Sequence, residues 1–285
     1  AQGAYVIGVD RNKEALDKMG TLVDKPIIAD LADEWPITEP VDAIINLAGL
    51  AAVGPSFDNP QFYINTNSAI LTNICEYYLT QSSRPRILTI SSGAVYDSDQ
   101  TMPITEDGKL SFSSPYAVSK ILNEDQCKYY KTRGLDCIVA RPFNHIGPMQ
   151  RPGFLVPDLL AQLRAAVKNG DDTISVGNLK TKRDYTDVRD VVKAYYSMIT
   201  ADKLRCNIYN ICSGKAVSGE EILHKMQAVL GSNIKPVVDE SRLRPSDPPI
   251  IVGDAAALKQ DTGWQPVISI QQTLQDIIKS HSQLS

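Results

Sequence analysis

The stretch RILTISS, residues 86 to 92, decides how this chain reads. A short run rich in Ile, Leu and Thr, stopped by two serines, is too brief for a core helix and matches a buried strand. Working outward, the same kind of run recurs as AYVIGVD (4 to 10), PIIAD (26 to 30), DAIINLAG (42 to 49) and DCIVARP (136 to 142). Stretches of helical period separate these runs, and in one of them Ile70, Ile74, Tyr77 and Tyr78 mark a single apolar face. Strands alternating with helices predict an α/β fold, a Rossmann-like doubly wound parallel sheet with crossover helices. Ligands of such sheets bind beyond the carboxyl ends of the strands, where Asp10, Asp30, Asn46 and Ser91–Ser92 fall.

From about residue 143 the rhythm loosens. Three helical stripes follow: Leu155, Val156, Leu159, Leu160, Leu163 and Val167; Val188, Val191, Val192, Tyr195 and Ile199; and Ile222, Leu223, Met226, Val229 and Leu230. Proline-rich connections such as RPSDPP (244 to 249) separate them. This pattern predicts a smaller, mostly helical substrate-binding region.

Composition excludes several function classes. At 285 residues, 43% hydrophobic and 22% charged, the chain can bury a sizeable core. A net charge of -4 and the lack of any basic run argue against nucleic acid as a partner. No apolar run is long enough to span a bilayer and no secretory signal is visible, so no membrane partner and a cytoplasmic location are expected. The five cysteines are scattered without a C-x-x-C pair, which predicts reduced thiols and neither a disulfide framework nor a metal site.

The chemistry-bearing stretch is SSPYAVSKILNE, residues 113 to 124. A proline that can open a helix precedes Tyr116 and Lys120, which lie four residues apart and so share a helix face. Taken alone, such a pair is more often two surface neighbours. Ser92, at the end of the fourth strand, adds a hydroxyl able to hold a substrate oxygen beside the phenol. A free phenol titrates near 10, and the Lys120 ammonium is expected to favour the phenolate and bring Tyr116 into a useful range.

Five ordered blocks carry a resemblance: S-S-x-x-V-Y, P-Y-x-x-S-K, RPFNHIGP (141 to 148), RDYTDVRDVVKAYY (183 to 196) and RLRPSDPPIIVGD (242 to 254). Together with YNICSG (209 to 214), they resemble the extended short-chain dehydrogenase/reductases that act on nucleotide sugars, and among these the GDP-6-deoxy-D-mannose reductases. The resemblance implies that Tyr116 donates a proton to a C4 ketone, Lys120 assists it and binds ribose, and Ser92 orients the carbonyl. NADP or NAD is the implied cofactor. Asp10 would meet the adenine ribose, or the adjacent Arg11 a 2'-phosphate. Asp30 and Leu31 would contact adenine, Leu47, Ala48 and Gly49 would underlie the pyrophosphate and nicotinamide ribose, and His145 would lie near the cofactor. Asn144, Arg183 and Arg244 would surround the diphosphate of a GDP-sugar, with Asp247 near the nucleotide ribose; arginine suits this role because its planar fork donates paired hydrogen bonds to phosphate oxygens.

Two departures stand out. Family dehydratases carry an acid where this chain has Ala94, which disfavours elimination of water. The G-x-x-G-x-x-G turn that holds a pyrophosphate is missing, together with the strand before it, so a truncated form that binds cofactor weakly is expected. The expected organisation is a dinucleotide-binding domain over 1–145, rejoined by 183–215, with 146–182 and 216–285 forming the sugar-nucleotide region. A homodimer is expected through helices holding 61–80 and 115–132.

Plainer roles compete. Asp10 would cap a helix starting at Asn12, Arg183 would pair with Asp184 or Asp187, Arg242 would be solvated, and His145 would be a hydrogen-bonded loop residue. His224 and His281 are expected on exposed helix positions. The sequence predicts a ketone reductase; the alternatives are a nucleotide-sugar 4-epimerase with retained NAD, and a non-catalytic sugar-nucleotide-binding protein.

Overall fold

A computed structural model describes residues 3–243 and 247–282, the side chains of 281 and 282 excepted. The chain forms two compact units, Ala1–Val95 with Leu110–Ala140, and Tyr96–Lys109 with Arg141–Ser285.

In the first unit, all five predicted strands form: β1 (Ile7–Asp10), β2 (Lys25–Ile28), β3 (Ala43–Asn46), β4 (Arg86–Ile90) and β5 (Asp136–Pro142). Helix α1 (Lys13–Met19) crosses from β1 to β2, α2 (Val53–Asp58) and α3 (Pro60–Leu79) lie between β3 and β4, and α4 (Pro115–Thr132) precedes β5. Every pairing among these strands is parallel. β1 pairs with β2 from Ile7 opposite Lys25 to Asp10 opposite Ile28, while β4 lies between β3 and β5, with Thr89 opposite Asn46 and Val139. Among the described residues, β1 and β3 each end their sheet. Their flanks show it: Ile45 of β3 is 37% exposed, although a strand of this kind has both faces covered in a parallel sheet.

The core of this unit explains why α3 and α4 stay on the sheet. Leu71, Ile74 and Cys75 of α3, Ala117, Ile121 and Cys127 of α4, Ile87 and Leu88 of β4 and Cys137 to Ala140 of β5 are all buried. Each large aliphatic side chain taken fully from water contributes about 1.5–3 kcal/mol, so this face outweighs the modest propensities of the individual elements.

The second unit combines helices with short strands. These are β6 (Asn144–Ile146), α5 (Leu155–Asn169), β7 (Thr173–Val176), β8 (Lys182–Asp187), α6 (Val188–Thr200), β9 (Ile208–Ile211), β10 (Ala216–Ser218), α7 (Gly219–Leu230), β11 (Lys235–Val238), β12 (Ile250–Ile251), α8 (Ala256–Thr262) and α9 (Ile270–Ser282). β8 pairs with β6 and β12 in parallel and with β10 antiparallel, and β7 pairs with β11. Leu159, Leu160 and Leu163 of α5 pack with Ile222, Leu223 and Met226 of α7 and Leu274 and Ile277 of α9.

Two predicted stripe positions differ from expectation. Val167 is 55% exposed and Val192 is 56% exposed, because the buried face of each helix is narrower than the run of apolar residues suggested. The predicted cap of the first helix is corrected too. Asn12, not Asp10, caps α1 by accepting from the Glu14 and Ala15 amides, while Asp10 accepts from the Asn12 amide. No helix among the described residues is long and apolar enough to cross a membrane.

Candidate active site

Helix α4 begins where the proline predicted. Ser114 caps it by accepting from the Ala117 amide at 3.1 Å, and Pro115 fills the first turn, where its missing N–H costs nothing. Tyr116 and Lys120 follow on one face and are both buried, at 6% and 7% exposure. Ser92 lies beside the Tyr116 phenol, so the structure brings the predicted trio together. Ser92 is fixed from both sides: its own Oγ accepts from the Ala94 amide at 3.1 Å, and the Ser91 amide donates to the Ala140 carbonyl at 2.8 Å.

The expected electrostatics of the pair are corrected. Burial pushes the Tyr116 phenol up, the neighbouring Ser92 hydroxyl opposes that shift, and Tyr63 adds to it. Lys120 is not among the groups that lower it. Its Nζ donates to the Ile90 carbonyl at 2.9 Å and stands 5.8 Å from the centre of the Tyr116 ring. Burial pulls the Lys120 amine down to about 8, against the opposing charge of Glu124. The result is a phenol that keeps its proton and an amine that is poised to lose one near neutrality.

Beside the trio lies the turn Leu47–Ala48–Gly49. Gly49 has φ of +146°, and a Cβ there would stand 2.8 Å from Asn67 Oδ1 and 3.8 Å from Lys120 Nζ. Only glycine fits without strain or displacement. Asn67 of α3, 1% exposed, accepts from the Leu50 amide at 2.7 Å and donates to the Leu50 carbonyl at 3.2 Å. Its Nδ2 also donates to Ser119 Oγ at 2.9 Å, and Ser119 in turn donates to the Tyr116 carbonyl at 2.8 Å.

At the ends of β1 and β2, Arg11 donates to Asp30 at 3.2 Å. The Ala32 amide, helped by this guanidinium, holds the Asp30 carboxyl below its usual range against the opposing effect of burial. Leu31 is buried, and its carbonyl accepts from Asn73 of α3 at 2.9 Å. Asp10 is exposed.

Two features of this unit fit a bound dinucleotide. The bare backbone at Gly49 permits close approach, and Asn46, the last residue of β3, has a buried Oδ1 that takes no hydrogen bond within the described chain. Asp10 and Arg11 offer an acceptor and a cation at the carboxyl end of β1. This sequence carries no glycine-rich phosphate turn.

The second unit holds the remaining predicted residues. Asn144 and His145 are exposed on β6, and His145 Nδ1 lies 3.4 Å from the Phe143 carbonyl. His145 borders a cavity of about 300 Å³ shared with Met149, Gln150, Phe154 and Val188. Arg183 and Asp247 meet: Nη2 donates to Asp247 Oδ1 at 2.5 Å, while Nη1 donates to the carbonyls of Lys182 and Pro248 at 2.9 and 2.8 Å. The expected pairing of Arg183 with Asp184 or Asp187 is therefore corrected. Asp184 is occupied by the Ser213 hydroxyl and the Ser213 and Gly214 amides, and Asp187 by Arg189. Arg242 is exposed as expected, and it donates to the Ser175 carbonyl at 3.1 Å. His224 is exposed as predicted, whereas Arg244 and the His281 side chain lie outside the described residues. Among the described residues, no cluster of His, Cys, Asp or Glu is arranged to hold a metal.

The sequence reading missed Asn67, Ser119 and Glu124, and it placed Ser91 at a strand end without its bond to Glu124. Only Glu124 left a signal, since it repeats the four-residue step from Tyr116 to Lys120 on a predicted helix face.

Comparison with known proteins gives a consistent picture. Residues 20–277 match the family described as GDP-mannose 4,6 dehydratase. The chain is 33% identical over 253 residues to the GDP-6-deoxy-D-mannose reductase of Pseudomonas aeruginosa, covering 87% of this chain and 82% of that protein. It resembles the solved structure of RMD from Pseudomonas aeruginosa complexed with NADPH, with a TM-score of 0.83 and 28% identity over 99% of this chain and 100% of that one. It is also 28% identical over 255 residues to UDP-glucose 4-epimerase 4 of Oryza sativa subsp. japonica, covering 82% of this chain and 68% of that protein.

Proposed function

The chain belongs to the GDP-mannose 4,6-dehydratase family of extended short-chain dehydrogenase/reductases, and from that premise we propose that it reduces the C4 ketone of GDP-4-keto-6-deoxy-D-mannose to GDP-D-rhamnose, or GDP-6-deoxy-D-mannose. The cofactor is a nicotinamide dinucleotide, NADP or NAD.

The observation that carries the reductase reading is the 33% identity to a GDP-6-deoxy-D-mannose reductase over 87% of this chain, against 28% over 82% for a 4-epimerase. The buried Tyr116 supplies the acid. Reduction of a ketone needs an acid at the carbonyl oxygen, and a buried phenol pushed up from its ordinary value is that acid at neutral pH. An epimerase uses the same phenol first as base and then as acid, so net NADPH consumption is what separates the two. Ser92, beside the phenol, would donate to the same oxygen and orient it. NAD(P)H, when bound, supplies the hydride that reaches C4. Proton transfer from Tyr116 completes the alcohol, and the ammonium of Lys120 offsets the negative charge left on the ring oxygen. Dehydration is disfavoured because Ala94 brings no acid or base.

For the dinucleotide we assign Asp10 and Arg11 to the adenine ribose or its 2'-phosphate, Asp30 and Leu31 to adenine, and Leu47, Ala48 and Gly49 to the pyrophosphate and nicotinamide ribose. His145 lies near the same molecule, and Lys120 meets its ribose. Asn144, Arg183 and Arg244 serve the GDP-sugar diphosphate and Asp247 its ribose. In this reading 1–145 with 183–215 hold the dinucleotide, and 146–182 with 216–285 hold the sugar nucleotide. The enzyme works in the cytoplasm as a homodimer joined through 61–80 and 115–132, where Phe62, Leu122 and Tyr129 are exposed.

The test is to add the keto sugar to the chain with NADPH and follow absorbance. Loss of one NADPH per sugar, with a 6-deoxy-mannose product, supports the reductase. Interconversion without net NADPH consumption points to the epimerase, and binding of GDP-mannose in calorimetry with no turnover at high NADPH points to a non-catalytic binder.

A further inference from the structure

Glu124 is 1% exposed and lies one helical turn beyond Lys120 on α4. A buried carboxylate is costly unless hydrogen bonds or an opposite charge compensate it, so something specific must hold this one. Ser91 supplies the hydrogen bond: its Oγ donates to Glu124 Oε1 at 2.5 Å. Ser91 stands between Ile90, whose carbonyl receives Lys120 Nζ at 2.9 Å, and Ser92, which lies beside the Tyr116 phenol.

The pattern is a ladder. Residues four apart on a helix present themselves on one face, and here Lys120 and Glu124 bond Ile90 and Ser91, consecutive residues where β4 ends, while Tyr116 lies beside the next one, Ser92. Glu124 is also the charged group that acts on Lys120 against burial. The other titratable neighbours do not replace it: Tyr116 is a neutral phenol on the same helix, Tyr63 of α3 faces Tyr116, and the Gly49 turn brings only backbone toward the amine. Cys127 of α4 is a buried thiol, pushed up by its contact with Cys137 and by burial, with the nearby Glu124 adding to the shift.

We propose that Glu124, one helical turn beyond Lys120 on the same buried face of α4, is a positioning residue that acts on Lys120 through its charge and, through Ser91, sets the strand end that carries Ser92 beside Tyr116. The geometry stands by itself; the effect on turnover rests on the reductase reading. The two parts separate by substitution. Glu124→Gln removes the charge and keeps an acceptor for Ser91, while Ser91→Ala removes the hydrogen bond and keeps the charge. A negative neighbour favours the ammonium, so its loss must lower the pH at which Lys120 gives up its proton.

The experiment is a pH titration of lysine side-chain NMR signals on the full chain, with the Lys120 resonance assigned by its absence in Lys120→Arg. The wild-type midpoint is expected at about 8. In Glu124→Gln it should fall by about one pH unit or more, a tenfold change in the protonation equilibrium. Ser91→Ala should leave the midpoint in place and instead lower kcat several-fold. Glu124→Asp, which withdraws the charge by one methylene, should lower the midpoint by a smaller amount and decides the matter if Glu124→Gln does not fold. An unchanged midpoint in the Glu124 variants, or an equal fall in Ser91→Ala, overturns the proposal. If the midpoints move as stated while the wild type consumes no NADPH with the keto sugar, the reductase reading fails and the role of Glu124 toward Lys120 stands.

Discussion

Asn67 bonds both backbone groups of Leu50, accepting from its amide at 2.7 Å and donating to its carbonyl at 3.2 Å, and so ties the Gly49 turn to α3. The same Nδ2 reaches Ser119 Oγ and thereby the Tyr116 carbonyl, which couples the turn to the helix of the trio. Replacing Asn67 with Leu fills similar volume but leaves the two Leu50 groups and the Ser119 hydroxyl without this partner. Each such loss costs about 1–3 kcal/mol when the group stays buried, and Leu50 is partly exposed, so a net loss of about 2–3 kcal/mol is expected. Urea unfolding measures it. Stability within about 0.5 kcal/mol of wild type would mean that the turn finds other partners, since substitutions away from such features usually fall in that range.

Tyr116 and Lys120 shift in opposite directions for one reason: burial disfavours the charged form of each. For the phenol the neutral acid persists beyond its ordinary range, and for the amine the ammonium is lost on passing about 8. Reductase activity is therefore expected to hold across neutral pH and to fall on the alkaline side from about 8, well below the ordinary lysine value of 10.5. Tyr116→Phe should lower kcat about 10²–10⁴-fold, the usual contribution of a positioned proton donor, while GDP-mannose binds as before. A flat profile to pH 10 would remove Lys120 from the reaction, because the amine is expected to lose its charge near about 8.

The strand rhythm was legible because local pattern sets it: all five predicted runs of the first unit became strands, and the polar residues at their ends fell where expected. The trio was legible because helix spacing places Tyr116 and Lys120 together and strand order places Ser92 after β4. The supporting bonds were not legible. Asn67 reaches Ser119 across 52 positions, Ser91 reaches Glu124 across 33 and Arg183 reaches Asp247 across 64, distances over which composition and period carry no pairing information. The sign of the Tyr116 shift was missed for a related reason, since spacing reveals a neighbouring amine but not that its Nζ is committed to the Ile90 carbonyl.

Arg11 bears on which dinucleotide the enzyme prefers. Its side chain is 54% exposed and its contact with Asp30, at 3.2 Å, is a surface pair of the kind that contributes little. A 2'-phosphate, dianionic and able to accept two parallel bonds, outcompetes a single carboxylate for a guanidinium. Arg11→Ala is expected to weaken NADPH binding about tenfold, or about 1.4 kcal/mol, and to leave NADH within about twofold. Fluorescence titration of both cofactors measures the contrast, and equal losses for the two would assign Arg11 to something other than the phosphate.

Arg183 and Asp247 form a pair of another kind, with side chains only 15% and 18% exposed. Here removal of one partner leaves a poorly solvated charge, and Arg183→Ala also strips donors from the Lys182 and Pro248 carbonyls. That variant is expected to lose about 3 kcal/mol of stability, the lower end of the cost of breaking a buried ion pair. Asp247→Asn keeps an acceptor for the guanidinium and removes the competing negative charge, so it should stay within about 1 kcal/mol of wild type, as an exchange of acceptors without loss of the bond implies. The two variants then divide over ligand. If Arg183 serves the diphosphate and Asp247 the ribose, GDP affinity falls at least tenfold in Arg183→Lys, which keeps the charge but not the fork, and more gently in Asp247→Asn. Calorimetry with GDP decides between this and a purely structural pair, for which both variants would bind GDP as the wild type does while only their thermal stability changed.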